Sequence, residues 1–219
     1  MDEGKPVLLV DAGDHIQGTA YGSMDDGATI IELMNEAGYD IATLGNHEFD
    51  YGMARAKAII KEADFPYVSC NWVDLRTGLR VLPAVKLFPA GGKWIAFVGI
   101  TTPESFTKST PAYFMNAKQT KYIYDILAVT TAGSCTTPSR SHRQGQDPGR
   151  RHHHRSGPSG VDPSSSPWTS EEVIANTTGF DAFIDGHSHT VMENKQVYDA
   201  AGKAVTLTQT GSYLATSVR

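Results

Sequence analysis

Gly45 to Asp50, GNHEFD, place an amide, an imidazole and two carboxylates within one short segment. The segment directly follows Ile41 to Leu44, an apolar run that reads as a buried strand. Polar side chains gathered where a strand gives way to a loop are how open α/β sheets build sites. The plain alternative is a turn, because Gly-Asn is common turn chemistry and His47 could be an ordinary surface residue. Two further segments repeat the pattern. Val7 to Val10 leads into Asp11-Ala-Gly-Asp14, and Asp181 to Ile184 leads into Asp185-Gly-His187-Ser-His189. Each apolar strand candidate is thus followed by Gly and a metal-competent side chain: Asp14, Asn46 with His47, and His187 with His189. His187 and His189 are two apart, so in extended backbone they point the same way and serve one metal or two neighbouring ones. Singly, an Asp after a strand is often a helix cap and a His an ordinary polar residue. Jointly, Asp, Asn and His suit a divalent metal of intermediate hardness such as Mn, Fe, Zn or Co.

The remaining pattern supplies the elements that would position these groups. Asp26 to Ala37 carries Ile30, Ile31, Leu33 and Met34 at helical spacing, and Gly52 to Ala63 carries Met53, Ala56, Ile59 and Ile60 likewise. Each helix follows a polar loop, giving the order strand, loop, helix twice over. Pro66 to Asn71, Val81 to Phe88, Trp94 to Ile100 and Val205 to Thr210 read as strands, with Gly91-Gly92 as a hairpin turn. Thr169 to Asn176 reads as a short helix with Ser170 as its cap. At 219 residues a single α/β domain over 1–219 is expected. Two cysteines give no disulfide framework to read. No run approaches the roughly 20 apolar residues of a membrane span, and no signal peptide is recognisable.

Gly13-Asp14, GNHE at 45–48 and GHSH at 186–189 resemble three metal-binding blocks of the calcineurin-like metallophosphoesterases. The extended forms VDAGDHIQGT, TLGNHEFDYG and FIDGHSH resemble the bacterial 5′-nucleotidase and UDP-sugar hydrolase branch. The resemblance runs from about Val7 to Phe114 and again from about Val161 to the end. It implies a four-layer α/β/β/α sandwich holding two divalent metals that activate a water for attack on a phosphate ester, with a nucleotide as substrate. Two such ions roughly 3.5–4 Å apart polarise a phosphoryl oxygen and stabilise the leaving oxygen. Carried over, Asp14 bridges both metals, Asn46 and His187 ligate the second, and His189 ligates the first. His47 donates to the phosphoryl group or leaving oxygen, and Asp50 holds its ring. Glu48 and Phe49 are supports without an assigned role. A full-length parent that is secreted, periplasmic or at the cell surface is implied as well.

The chain also departs from the family's pattern. The family opens with an Asp-x-His block, whereas Asp2 is not followed two positions on by His. This implies truncation at the N-terminus, and no C-terminal nucleoside-gripping domain follows Arg219. A Gly-His block expected between GNHE and GHSH is replaced by Val129 to Gly160, which has one large aliphatic residue and no aromatic. Such a composition does not offset chain entropy and predicts disorder. It also reads as a basic linker or nucleic-acid patch through Arg140, Arg143, Arg150, Arg151 and Arg155, as a metal tract through His152 to His154, or as out-of-frame translation. The last is preferred: shifting the codons of Gly145 to Ser159 by one nucleotide forces three residues that are each Ile or Thr, and permits VLGHL after them. Without this segment's five Arg and one Asp, the whole-chain charge of −5 becomes 14 basic against 23 acidic residues, or −9. That balance argues against nucleic-acid polymers or anionic membrane as partners and leaves a small nucleotide or phosphate ester. With the opening Asp and His and the middle His missing, the alternative is a crippled fragment that binds metal or phosphate weakly, with little or no turnover.

Overall fold

Thr19 caps a single turn, α1 (Ala20–Ser23), which leads into the first of two longer helices. In the computed structural model, which describes residues 6–129, the backbone of 152–157, and 160–213, the first helical pattern forms α2 (Ala28–Ala37). Ile31 and Met34 are buried on it, whereas Leu33 is 56% exposed, so the apolar stripe is narrower than the sequence suggests. Gly38 stops α2 in the left-handed region, its N–H bonding to the Met34 and Asn35 carbonyls. The second pattern forms α3 (Gly52–Glu62), which buries Ala56 and Ile59.

Short strands precede these helices. β1 (Val10–Asp11) and β2 (Ile41–Ala42) pair in parallel. Pro66 to Asn71 is not a strand as expected: it makes one bridge, Ala42 to Tyr67, and its N–H groups turn to different partners. Val68 N–H bonds to Ala42, Ser69 N–H to Pro83 and Cys70 N–H to Gly99. The ladder begins one residue later, with β3 (Trp72–Asp74) between β4 (Leu79–Arg80) and, farther along the chain, β7 (Tyr124–Ile126). β5 (Val85–Ala90) and β6 (Lys93–Gly99) form the expected hairpin, Gly91 and Gly92 both at positive φ in its two-residue turn. Cys70 is disulfide-bonded, a link that two cysteines alone did not announce.

The six-stranded sheet is completed by β8 (His152–Gly157), β9 (Ala182–Asp185), β10 (Val191–Tyr198) and β11 (Ala204–Thr210), in the order β10-β11-β9-β8-β6-β5. β6, β8, β9 and β11 run parallel, with antiparallel strands at both edges. The expectation that 129–160 is unfolded is corrected wherever that stretch is described, Gly160 included, which is buried with its N–H on Asp185. Val129 is buried, and His152–Gly157 lie centrally, paired with β6 from Ile95↔His152 to Gly99↔Ser156 and with β9 from His154↔Ala182 to Gly157↔Asp185. Pairing on both sides needs only backbone N–H and C=O, so composition misjudges it. Residues 130–151 and 158–159 lie outside the described residues, and with them Pro158 and Ser159, where the frame-shifted reading puts the lost His.

Alternation along the strands defines the layers. Ala42, Leu44 and the faces of α2 and α3 share one core, whereas Ile41 packs with Phe97, Ile95 and Ile184 between the β1–β2 pair and the large sheet. The next residues round, Val98 and Phe183, face the opposite side with Val205, Leu207 and the helix α5 (Ser170–Ala175). Helices, small sheet, large sheet and helix therefore follow one another as four layers. The cap of α5 is Thr169 rather than Ser170: its Oγ1 accepts from Glu172 N–H and the Glu172 carboxylate accepts from Thr169 N–H.

Phe49, from the polar GNHEFD segment, is fully buried between Trp72 and Phe114, with centroids 5.4 and 5.0 Å away. It anchors that loop in the first core. Phe49→Ala is expected to lower the unfolding free energy by about 3–5 kcal/mol, the usual cost of emptying a buried aromatic site. Urea unfolding checks this, and a loss below about 1 kcal/mol would show that the core does not hold the loop.

Candidate metal and phosphate site

The loops after β1, β2, β6 and β9 meet at the C-terminal ends of these parallel strands, the usual location of sites in α/β sheets. Gly13 and Gly45 let the first two loops touch, since a Cβ on Gly13 would overlap the Gly45 N–H and one on Gly45 would overlap the Asp14 carboxylate. Glu48, fully buried, bonds both loops: its carboxylate accepts N–H bonds from Gly45 at 2.5 Å, Asp14 at 2.9 Å and His15 at 2.9 Å. Burial drives the Glu48 carboxyl above the ordinary carboxylate value, against the His15 charge. His15 lies behind this clamp. Its ring bridges Asp11 Oδ1 and the Tyr67 hydroxyl, each at 2.8 Å. Burial opposes its charge, but Asp11 and Glu48 raise its pKa to about 9. Its role is in holding the loop.

Asp14 takes φ 67°, a left-handed conformation that turns its carboxylate inward. Oδ1 accepts the His47 N–H at 2.9 Å, while Oδ2 is buried without a hydrogen bond, 3.7 Å from His187 Nδ1. Burial works against its ionised form, yet His187 and His47 together hold the carboxyl below the usual range. Asn46 is 2% exposed, and its Oδ1 is also buried without a partner. His47 Nδ1 donates to Asp50 Oδ2 at 2.6 Å, and this bond, ahead of the nearby carboxylates, raises the His47 pKa to about 9 despite burial. His187, at φ 69°, lies between Asp14 and Glu104 Oε2, which is 3.0 Å from its Nε2. Burial lowers its pKa, but the two carboxylates raise it above the ordinary value.

Asp14, His47, Asp50 and His187 therefore form one connected group, with Asn46 next to His47 in the chain. His189 joins Asn46, His47 and His187 in lining an open cleft of about 260 Å³, its ring edge-on to Tyr213 at 6.1 Å. Lys108, Asp162, Ser164 and Ser165 complete that lining. None of these four, nor Glu104, follows from the GNHEFD pattern. Glu104 had a signal all the same, because Thr101-Thr-Pro-Glu104 is another polar segment directly after an apolar strand. Two buried, unpartnered oxygens, one of them 3.7 Å from an imidazole nitrogen, fit a divalent ion: a carboxylate, an amide oxygen and a ring nitrogen suit a metal of intermediate hardness. Among the described residues, no group of three or more His, Cys, Asp or Glu side chains stands ready for a metal.

Comparison with known proteins bears on the family and the fold. The family model for calcineurin-like phosphoesterases matches residues 1–191. The snake venom 5′-nucleotidase of Gloydius brevicauda is 36% identical over 115 residues, covering 50% of this chain and 19% of the relative. Protein UshA of Escherichia coli is 35% identical over 112 residues, covering 51% of this chain and 20% of the relative. The matched stretches thus span about a fifth of these curated relatives. Among solved structures, calcineurin-like phosphoesterase YfkN from Bacillus subtilis superposes with TM-score 0.68 at 25% identity, covering 94% of this chain and 67% of that one. A 5′-nucleotidase precursor from Thermus thermophilus gives TM-score 0.70 at 21% identity, covering 96% and 40%, which bears on fold alone.

The Asp50 bond is the largest cause of the raised His47 pKa. In metal-free protein, Asp50→Asn is expected to bring the His47 titration from about 9 down toward the ordinary histidine value of roughly 6.5. Because the folded-state pKa is raised, the pair's stabilisation is complete below the unfolded value and is lost as pH rises through about 9. NMR titration of the His47 ring reads the shift, and an unchanged midpoint in the variant would rule out Asp50 as its cause.

Proposed function

The chain belongs to the calcineurin-like phosphoesterase family, and from that premise we propose that its cleft hydrolyses phosphate monoesters of nucleotides, 5′-mononucleotides foremost. The observation that carries this reading is the pair of buried, unpartnered oxygens, Asp14 Oδ2 beside His187 and Asn46 Oδ1 on the residue before a His47 locked onto Asp50. The 5′-nucleotidase relatives support the nucleotide class. The net charge of −5 supports a small ester over a nucleic-acid polymer.

Asp14, Asn46 and His187 would hold one divalent ion (Mn, Zn, Fe or Co), and His189, in the lining of the same cleft, would serve a second together with Asp14. When bound, such ions polarise a phosphoryl oxygen and lower the pKa of a water. The chain's own groups do the rest. His47 keeps its Nδ1 proton on Asp50, which leaves Nε2–H free to donate to the phosphoryl or leaving oxygen. Its raised pKa keeps that proton in place at neutral pH. Lys108, on α4 (Ser105–Lys108), adds a cation to the cleft lining and draws anionic esters toward it. No helix among the described residues is long and apolar enough to cross a membrane. The venom relative supports a parent that works outside the cell.

A second reading has its own observation: the lack, among the described residues, of a ready group of three or more His, Cys, Asp or Glu ligands. Under it the cleft binds metal or phosphate weakly and turns nothing over. Phosphate release from a 5′-mononucleotide and from an aryl phosphate, with and without added Mn²⁺, separates the two. The first reading expects Mn-dependent turnover that falls at least about 100-fold in His47→Ala, the lower end for losing a general acid, and also in Asn46→Ala. Metal binding without turnover would establish the second reading instead.

A further inference from the structure

Glu104 stands outside every motif that marked this site, yet it touches the site directly. It follows β6, behind the residues that line the cleft, and is 7% exposed. Its backbone is fixed at both ends. The Glu104 N–H donates to Thr102 Oγ1 at 3.2 Å, and its carbonyl accepts from Thr107 and Lys108 N–H, each at 2.8 Å. The side chain is therefore aimed by the turn that starts α4, and its Oε2 lies 3.0 Å from His187 Nε2. The same ring is confined on another side by Gly160, where a Cβ would come within 3.2 Å of His187 Cδ2.

A carboxylate accepts and does not donate, so His187 Nε2 must carry the proton of that bond. The other nitrogen, Nδ1, points to Asp14 Oδ2 at 3.7 Å, too far for a hydrogen bond. Two donors that share one ion at bond lengths of about 2.0–2.2 Å stand roughly 3–3.6 Å apart. The separation between Asp14 Oδ2 and His187 Nδ1 is close to that spacing, and the oxygen has no other partner. We propose that Glu104 is a positioning residue that holds His187 in its Nε2–H tautomer and so presents Nδ1, paired with Asp14 Oδ2, to a divalent metal. This rests on the reading of Asp14 and His187 as metal ligands and adds to it which nitrogen binds and what holds the ring. Carboxylate partners of this kind commonly raise metal affinity by about 10–100-fold.

The test titrates Zn²⁺ alone into the full chain and its Glu104→Ala and Glu104→Gln variants by calorimetry. Long-range ¹H–¹⁵N NMR then assigns the protonated and coordinated nitrogens of His187. In the unmodified chain Nε2 is expected to stay protonated while Nδ1 takes the metal shift. Glu104→Ala should bind Zn²⁺ about 10–100-fold more weakly. Glu104→Gln, whose Oε1 still accepts the ring proton, should recover most of the loss, with the melting temperatures of all three metal-free proteins alike. Zn²⁺ bound through Nε2, or bound by Glu104→Ala as tightly as by the unmodified chain, would overturn this proposal while leaving the metal-site reading intact. A chain that binds no Zn²⁺ would overturn both.

Discussion

The structure of this site depends on one buried carboxylate. Glu48 accepts three backbone N–H bonds, from Gly45, Asp14 and His15, and so ties the loop after β1 to the loop after β2. Leaving such donors buried and unbonded would cost about 1–3 kcal/mol each. No neutral side chain of similar size offers as many strong acceptor positions as two carboxylate oxygens. The charge this requires is balanced from behind by His15, itself held between Asp11 and Tyr67. Every candidate site residue on the small-sheet side inherits its place from this clamp. Asp14 is fixed through its N–H, and Asn46 and His47 follow Gly45.

The layers explain why the clamp meets its counterpart across the cleft. Phe97 and Ile184 face the small sheet, and Val98 and Phe183 face α5, so the large sheet is apolar on both sides and its position against β1 and β2 is set by packing. Polar chemistry is then confined to the strand ends. There β9 delivers Asp185, Gly186 and His187, and β6 delivers Thr101 through Glu104. The second loop has its own internal acceptors. Gly160 N–H and the Gln209 amide bond to Asp185, and Gln209 Oε1 takes the Thr190 N–H at 2.6 Å.

What was legible in the sequence was local. GNHEFD, Gly13-Asp14 and GHSH each announce a polar loop after an apolar run, and the structure brings these loops together, although His187 and His189 sit in left-handed rather than extended backbone. The helices α2 and α3 were legible because their apolar residues repeat at 3.6-residue spacing. What escaped was non-local. Glu104 lies 83 residues from His187 and meets it only when β6 and β9 share a sheet. Pro66 to Asn71 has the composition of a strand, but its N–H groups are divided among Ala42, Pro83 and Gly99. β8 escaped because backbone pairing with two neighbours does not depend on the apolar composition that sequence reading measures. Phe49 and Glu48 were visible as residues but not as an anchor and a clamp, since both roles need partners from other elements.

Strain at the site follows the same division of labour. Asp14, His187 and His189 all adopt positive φ, at 67°, 69° and 54°, which few residues other than glycine do without cost. Such conformations cost of order 1–3 kcal/mol each and persist only where the surroundings over-determine them. Beside each one stands a buried or partly buried acceptor. Glu48 takes the Asp14 N–H, Glu104 takes the His187 ring proton, and Gln209 takes the N–H of Thr190 directly after His189. Of the six described non-glycine residues at positive φ, these three belong to the candidate site at the cleft. Their supports are carboxylates and an amide that do not line it. The arrangement is what a preformed site requires: the strained groups stand at the candidate site, and hydrogen bonds one layer behind keep them in place.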